Sequence, residues 1–349
     1  MDQQDDKHQR RVRYTGTHPK KYQEKYKELQ PEKFGDTIEK VMQKGNTPAG
    51  MHRPICVDEI LAFLEIVPGQ VGLDATLGYG GHTLEMLKCL DGKGHLYAID
   101  VDPLELPRTQ ARLEHLGYGS EILTVRQMNF SSINQIIAES GPLDFILADL
   151  GVSSMQIDNP QRGFSYKTEG PLDLRLNPKK GTSAADRLRT ISQAELETLL
   201  RENADEPNAK AIASAIATEV RKGTEIATTT QLQSIIRTRL KTIPGSNSSD
   251  EIKKACQRCF QALRIDVNNE LGVLYEFLEK IPDALAPGGR VAILSFHSGE
   301  DRLVKKSFQR LLRGGVYVEI AEEPIRASAE ERNSNGRARS AKLRWAIKA

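Results

Sequence analysis

Between residues 70 and 150 the chain alternates short apolar runs with helical stretches, and no other feature restricts its fold as strongly. The runs 70–74, 95–100, 122–127 and 143–150 have the length and apolar character of buried strands, while 83–90, 103–116 and 131–139 read as helices. Successive strands joined by helices pair in parallel, and right-handed crossovers place the helices over both faces of the sheet. The alternation therefore predicts an α/β fold on a doubly wound parallel sheet.

After Gly151 the alternation stops. A loop rich in glycine, proline and asparagine runs to Gly181 and opens a region of helix signals without evident strands. Ser183 with Asp186 and Ser192 with Glu195 have capping spacing, Pro207 suits a first helical position, Gly223 a helix end, and residues 228–230 can cap a helix through Leu240. Apolar residues recur in steps of three and four from Phe260 through Leu263, Val267, Leu271, Leu274 and Leu278 to Ile281, predicting one long helix within 251–284. Pro287-Gly288-Gly289 then turns the chain into a further apolar strand, 290–296. The expected organisation is a charged extension over 1–50, an α/β domain over 51–157 and 264–349, and an all-helical insertion over 158–263.

Lys and Arg number 49 against 47 Asp and Glu, a net charge of +2, so affinity for nucleic acid has to come from local clusters. Arg302, Lys305, Lys306, Arg310 and Arg313 share one predicted helix, and the tail from Arg326 includes Arg337, Arg339, Lys342 and Arg344; both clusters suit phosphate contacts. Four cysteines are too few for a disulfide scaffold. Cys256-Gln-Arg-Cys259 is a lone CxxC within a helical pattern, so no metal site is expected. No apolar run approaches the roughly 18 to 20 residues that cross a bilayer, and the first residues hold no signal-peptide core. A cytoplasmic protein without membrane contact is expected.

The first βα turn reads Asp74-Ala-Thr-Leu-Gly78-Tyr-Gly80-Gly81-His82-Thr83, a bend at which a ligand can approach the backbone. Asp100 ends the second strand, where a carboxylate can accept hydrogen bonds from both ribose hydroxyls of an adenosine-containing cofactor. A nicotinamide dinucleotide and S-adenosylmethionine fit these residues equally well. Asp149 ends the fourth strand, where an acceptor would meet the cofactor; its oxygens can orient an exocyclic amine or hold the cofactor's amino-acid or adenine portion. Phe130 can stack on an adenine or belong to the core. His297, in Ser295-Phe-His-Ser298, can donate to a bound base, move a proton or satisfy a buried backbone group.

Taken in order, Asp74 to Thr83, Ala98-Ile-Asp-Val-Asp-Pro103, Asp149-Leu-Gly-Val-Ser-Ser154, Arg162-Gly-Phe-Ser165, Gly170-Pro-Leu-Asp-Leu-Arg175, Phe260-Gln-Ala-Leu-Arg-Ile265 and Ser295-Phe-His-Ser298 resemble one family, the bacterial 16S ribosomal RNA cytosine-N4 methyltransferases of the MraW or RsmH type. The resemblance runs from residue 51 to the C-terminus. It implies a Rossmann-like S-adenosylmethionine-dependent methyltransferase sheet with an inserted helical domain for RNA recognition. It also implies N4 methylation of a cytidine in the decoding region of 16S ribosomal RNA, free or within the small subunit. Matched position by position, the family's cofactor contacts fall on Gly80, Gly81, His82, Asp100, Phe130, Asp149 and Gln156, and Asp149 is also the candidate for orienting the amine. The chain departs from the family in its longer arm before residue 51, in Asp205-Glu206-Pro207 where a Gly-Glu-Glu run is common, and in Cys259 where Thr is usual. These differences leave open another target cytidine or RNA. A dinucleotide-dependent oxidoreductase and a non-catalytic RNA assembly factor are the rival readings. The oligomeric state is open, a homodimer included.

Overall fold

Each apolar run expected to form a strand does so in a computed structural model of the chain, which describes residues 54–349. The N-terminal extension lies outside the described residues. The strands are β1 (Val71–Asp74), β2 (His95–Asp100), β3 (Leu123–Gln127), β4 (Leu143–Asp149), β5 (Leu285–Ser295), β6 (Tyr317–Ile320) and β7 (Lys342–Lys348). They form one sheet in the order β3-β2-β1-β4-β5-β7-β6. The first five pair in parallel, and β7 runs antiparallel to both β5 and β6. The order reverses between β1 and β4, and the carboxyl ends of strands at such a switch point are the place where sheets of this kind take ligands.

The helices, in chain order, are α1 (Val57–Leu64), α2 (Gly81–Leu90), α3 (Leu106–His115), α4 (Asn134–Ser140), α5 (Ser154–Asp158), α6 (Ala184–Thr190), α7 (Gln193–Ala204), α8 (Ala209–Arg221), α9 (Thr229–Lys241), α10 (Ser249–Asn268), α11 (Glu270–Ala284), α12 (Ser298–Arg313) and α13 (Ala329–Ser334). Alternate strand residues enter different cores. Leu73, Ile146, Ala148, Val291 and Ile293 pack with α4, α11 and α12 residues, whereas Ala98, Phe145, Leu147, Ala292 and Leu294 pack with α1, α2 and α3 residues. This period of two, apolar on both faces, is what a sheet covered by helices on each side requires. Gly72 is set by the same packing: a Cβ there would lie 2.1 Å from the Phe145 ring.

Helices α6 to α10 share a separate core that includes Leu188, Leu200, Ile212, Ile236 and Leu263, and no strand of the sheet contributes to it. The single helix expected within 251–284 is two. Asn269 takes φ 49°, ends α10 by donating its N–H to the Asp266 and Ile265 carbonyls, and starts α11. Asparagine tolerates this left-handed conformation better than other non-glycine residues. The apolar steps continue through the break but change destination: Phe260 and Leu263 enter the helical core, Leu274, Phe277 and Ile281 the sheet core. Strand β5 likewise starts before the Pro287-Gly288-Gly289 turn, which forms an irregularity in its pairing with β4. In the departing segment, Asp205 adopts φ 49°, a conformation glycine would take without strain, and buried Glu206 pairs with Arg258 at 2.6 Å.

Candidate functional site

The carboxyl ends of β1, β2 and β4 are tied together by side chains of the first βα turn. Asp74 is almost fully buried; one oxygen accepts the Thr76 N–H at 3.0 Å and the other the Thr83 hydroxyl at 2.6 Å. Thr76 Oγ1 in turn accepts the Asp149 N–H at 2.7 Å, which fixes where β4 ends relative to the turn. Burial raises the Asp74 pKa, opposed by these hydrogen bonds and by His82.

Gly78, Gly80 and Gly81 do different things. Gly78 (φ +48°) donates its N–H to Asp100 Oδ2 at 2.8 Å, and a Cβ on it would meet only the Thr76 carbonyl, at 3.8 Å, so open space lies over this residue. Gly80 caps α2 at φ +65° with no room for a side chain beside Thr109, and a Cβ on Gly81 would lie 2.4 Å from Pro54. The two glycines expected to contact a cofactor are thus fixed by packing, and the open approach is at Gly78, two residues before the first of them.

Asp100 sits where the sequence predicts, at the end of β2, with its second oxygen accepting the Asp102 N–H at 2.9 Å. Burial pushes its pKa up to about 6 against the pull of both backbone donors; Asp102 and Asp74 add to the rise. Asp102 was not singled out in the sequence, yet it anchors the rim. Its Oδ2 accepts from Gln156 Nε2 at 2.8 Å and from the buried Arg162 guanidinium at 2.6 Å. Gln156 is engaged at its other end too, accepting the Ser153 N–H at 2.8 Å in a reciprocal cap of α5. Arg162 also donates to the carbonyls of Arg175 and Leu176. No sequence signal separates such a buried arginine from a surface one.

Asp149 is the least satisfied acid of the rim. Its Oδ1 is enclosed without a hydrogen-bond partner, and its Oδ2 lies 3.5 Å from His82 Nδ1. The opposite ring nitrogen, Nε2, lies 3.0 Å from the Ile55 carbonyl, which can only accept, so Nε2 carries a hydrogen and Nδ1 is the atom left for Asp149. Burial pushes Asp149 up to about 6; His82 opposes the shift, and Asp74 and Glu300 add to it. Phe130 is half-buried, its ring 4.9 Å from that of Phe277.

His297 has a structural task. It caps α12 reciprocally with Glu300: Nδ1 accepts the Glu300 N–H, and the Glu300 carboxylate accepts the N–H groups of Phe296 and His297. Burial works against the charge on Glu300, but His297, the Phe296 N–H and Arg264 hold its pKa below the usual value. The basic tail is engaged internally as well. Lys342 and Arg344 both bind Asp301, at 2.8 and 2.6 Å, with Arg344 buried, and Arg337 lies 3.5 Å from Asp158. Of the α12 cluster, Arg310 pairs with Glu279, whereas Arg302, Lys306 and Arg313 are exposed. The tail's charge in the sequence therefore overstates what it offers to phosphates. Cys256 and Cys259 are both buried in α10, where burial raises their pKa values.

A family model described as the MraW methylase family matches residues 49–349. Over its whole length the chain is 74% identical to all of ribosomal RNA small subunit methyltransferase H 2 of Alkaliphilus metalliredigens. It is 66% identical to ribosomal RNA small subunit methyltransferase H 1 of Lachnoclostridium phytofermentans, over 98% of this chain and 93% of that one. Against ribosomal RNA small subunit methyltransferase H of Koribacter versatilis the identity is 40%, over 85% of this chain and 94% of the relative. A solved rRNA methylase from Streptococcus thermophilus superposes with a TM-score of 0.38 at 14% identity, over 85% of this chain and 98% of that one; the strand order, not this superposition, carries the fold.

Proposed function

The chain belongs to the MraW methylase family of S-adenosylmethionine-dependent methyltransferases, and from that premise we propose that it methylates N4 of a cytidine in the decoding region of 16S ribosomal RNA, in the cytoplasm. The relatives' names support an acceptor in small-subunit ribosomal RNA. The observation that carries the atom-level reading is Asp149: a carboxylate at the end of β4, one oxygen enclosed and unpartnered, the other facing His82.

The rim fits the cofactor in two respects. Open space lies over Gly78, and Asp100 is held at the end of β2 by two backbone N–H groups with acceptor capacity left on both oxygens. Asp100 would receive the ribose hydroxyls, Phe130 would offer an apolar face, and the backbone from Gly78 through Gly80 and Gly81 to His82 would line the approach. Gln156 would act through Asp102, whose carboxylate it steadies. When bound, S-adenosylmethionine supplies a methyl group activated on a sulfonium centre.

The protein's own residues then have to make a poor nucleophile act as one. The lone pair of cytidine N4 is delocalised into the ring, and the amine gains a proton's worth of positive charge as its new bond forms. An ionised Asp149 accepts an N4–H, turns the amine toward the methyl group, and takes the proton that N4 loses; His82 stabilises the carboxylate between turnovers. Alignment of this kind is a major source of rate when two bound groups react. The base has to leave its stack to reach a crevice at the sheet edge, which suits unpaired RNA.

The test is mass spectrometry of ribosomal RNA from cells with and without the protein, with purified protein and Asp149→Ala assayed for methyl incorporation. N4-methylcytidine lost from one site on deletion, and restored only by the wild type, supports the reading. An unchanged modification pattern together with no methyl incorporation by the wild type would favour an assembly factor, and a different lost nucleotide would redirect the substrate.

A further inference from the structure

Away from the sheet, Tyr166 and Lys167, α9 and the start of α10 enclose a groove of about 760 Å³. Five cations line it, Lys167, Arg237, Lys241, Lys253 and Lys254, against one acid, Asp250. For a chain whose net charge is only +2, this is a strong local concentration. Lys253 and Lys254 have exposed partners one helical turn earlier, Asp250 at 3.0 Å and Glu251 at 2.9 Å. Pairs of this kind hold weakly and can be exchanged for another anion.

Lys167, Arg237 and Lys241 are exposed and form no ion pair among the described residues. Arg237 and Lys241 stand four residues apart on α9, a rise of about 6 Å, where like charges destabilise a helix. Folding gains nothing from that placement. Helix α9 is held by Leu232, Ile236 and Leu240 on its opposite, buried side. Gln233, Asn247 and Gln257 add amide groups between the cations, able both to donate and to accept. None of the large exposed apolar side chains, Val67, Leu104, Leu116, Tyr275, Leu312 or Val318, lines the groove, so it lacks what a membrane surface or an apolar protein partner would use. Lys167 is five residues from Arg162, whose guanidinium binds Asp102 at the rim, and five residues span at most roughly 18 Å. A strand leaving the crevice can reach the groove within a few nucleotides.

We infer that this groove binds the sugar-phosphate backbone of the RNA strand flanking the methylated base, with Lys167, Arg237 and Lys241 as its phosphate contacts. The inference rests on the functional reading above and names how that RNA is held. Exposed cations tolerate neutral replacement, so the triple variant Lys167→Gln/Arg237→Gln/Lys241→Gln should fold, with circular dichroism and calorimetric S-adenosylmethionine binding as checks. Binding of a 16S ribosomal RNA transcript is measured over about 50 to 200 mM salt. Three lost contacts at about 0.7 each should make the log–log slope shallower by about 2, with affinity down roughly tenfold or more and KM for RNA rising while kcat holds. Lys179→Gln/Lys180→Gln, exposed on a loop outside the groove, is the control and should leave the slope unchanged. A wild type that methylates the transcript and a triple variant with the wild-type slope would overturn the groove alone. A wild type that neither binds nor methylates any ribosomal RNA would overturn the functional reading itself. Groove-dependent binding to phosphatidylserine vesicles without RNA binding would assign the groove to a lipid surface and overturn the proposal.

Discussion

Replacing His82 by Gln separates two roles for this residue. The amide can still donate to the Ile55 carbonyl, but it carries no charge to set against Asp149. Unit charges 3.5 Å apart interact by about 4.7 kcal/mol at an effective dielectric near 20. That is an upper bound here: it applies to a ring carrying both protons, any such charge is spread over the ring, and the Asp149 side chain is 30% exposed, which lets water screen the pair. About one pH unit, or roughly 1.4 kcal/mol, is the more realistic share. The direction follows from the chemistry. His82 favours the ionised carboxylate, so removing it raises the Asp149 pKa above its present value of about 6. Asp149 has to be ionised to accept the N4–H, so activity is lost as pH falls through its pKa. The acid limb of the kcat/KM profile should move from about 6 to about 7. Activity should then fall roughly fivefold at pH about 6 and hardly change at pH about 8. The assay is methyl incorporation into ribosomal RNA across this pH range, with S-adenosylmethionine affinity measured alongside. If the limb stays where it was while cofactor affinity drops equally at every pH, His82 is a ligand contact, and its partnership with Asp149 is refuted.

Three further outcomes follow from the ion pairs and the buried acids. Arg162→Met leaves the Asp102 carboxylate buried without its guanidinium and should cost about 3–5 kcal/mol, read from the denaturant midpoint; a loss under about 1 kcal/mol would show that Gln156 alone suffices. Lys342→Gln/Arg344→Gln should lower the thermal midpoint but leave the salt dependence of RNA binding unchanged, because Asp301 already holds both cations. Asp149→Asn should abolish methyl transfer and stabilise the protein by up to about 3 kcal/mol at neutral pH, the equivalent of a rise from 3.8 to about 6. The sign is that of a raised carboxyl: its contribution is present below its unfolded pKa and lost as pH rises through about 6, so the gain from Asn should vanish near pH 4.

The alternating strands were legible because a sheet buried on both faces leaves a continuous apolar run, and each run ends at a turn residue that the geometry needs. Asp100 and Asp149 were legible for the same reason, since they are the last and the last but one residues of such runs. Asn269 was not, because the three-and-four spacing from Phe260 to Ile281 continues across it while the face it describes passes from one core to another. The Gly80-Gly81 pair was legible as a turn but not as packing against Thr109 and Pro54, which come from elsewhere in the chain. Lys342 and Arg344 read as a phosphate cluster because their partner Asp301 is some forty residues away and meets them only through the pairing of β7 with β5. Charge runs in sequence record sign; pairing depends on topology.

The same distinction explains why the acids of the rim are arranged as they are. Asp74, Asp100 and Asp149 converge where three strands end, and burial raises the pKa of each. Asp74 is relieved by two threonines, Asp100 by two backbone N–H groups, and Asp102 by Arg162 and Gln156. Only Asp149 keeps an enclosed oxygen with no donor. A fold selected for stability alone would supply one, or replace the carboxylate with an amide. The side chain as a whole is 30% exposed, so a carboxylate short of donors is instead the arrangement that an incoming N–H can complete. The instability at neutral pH and the capacity to bind an amine are then two properties of one carboxylate, so a substitution that removes the first should also remove the second.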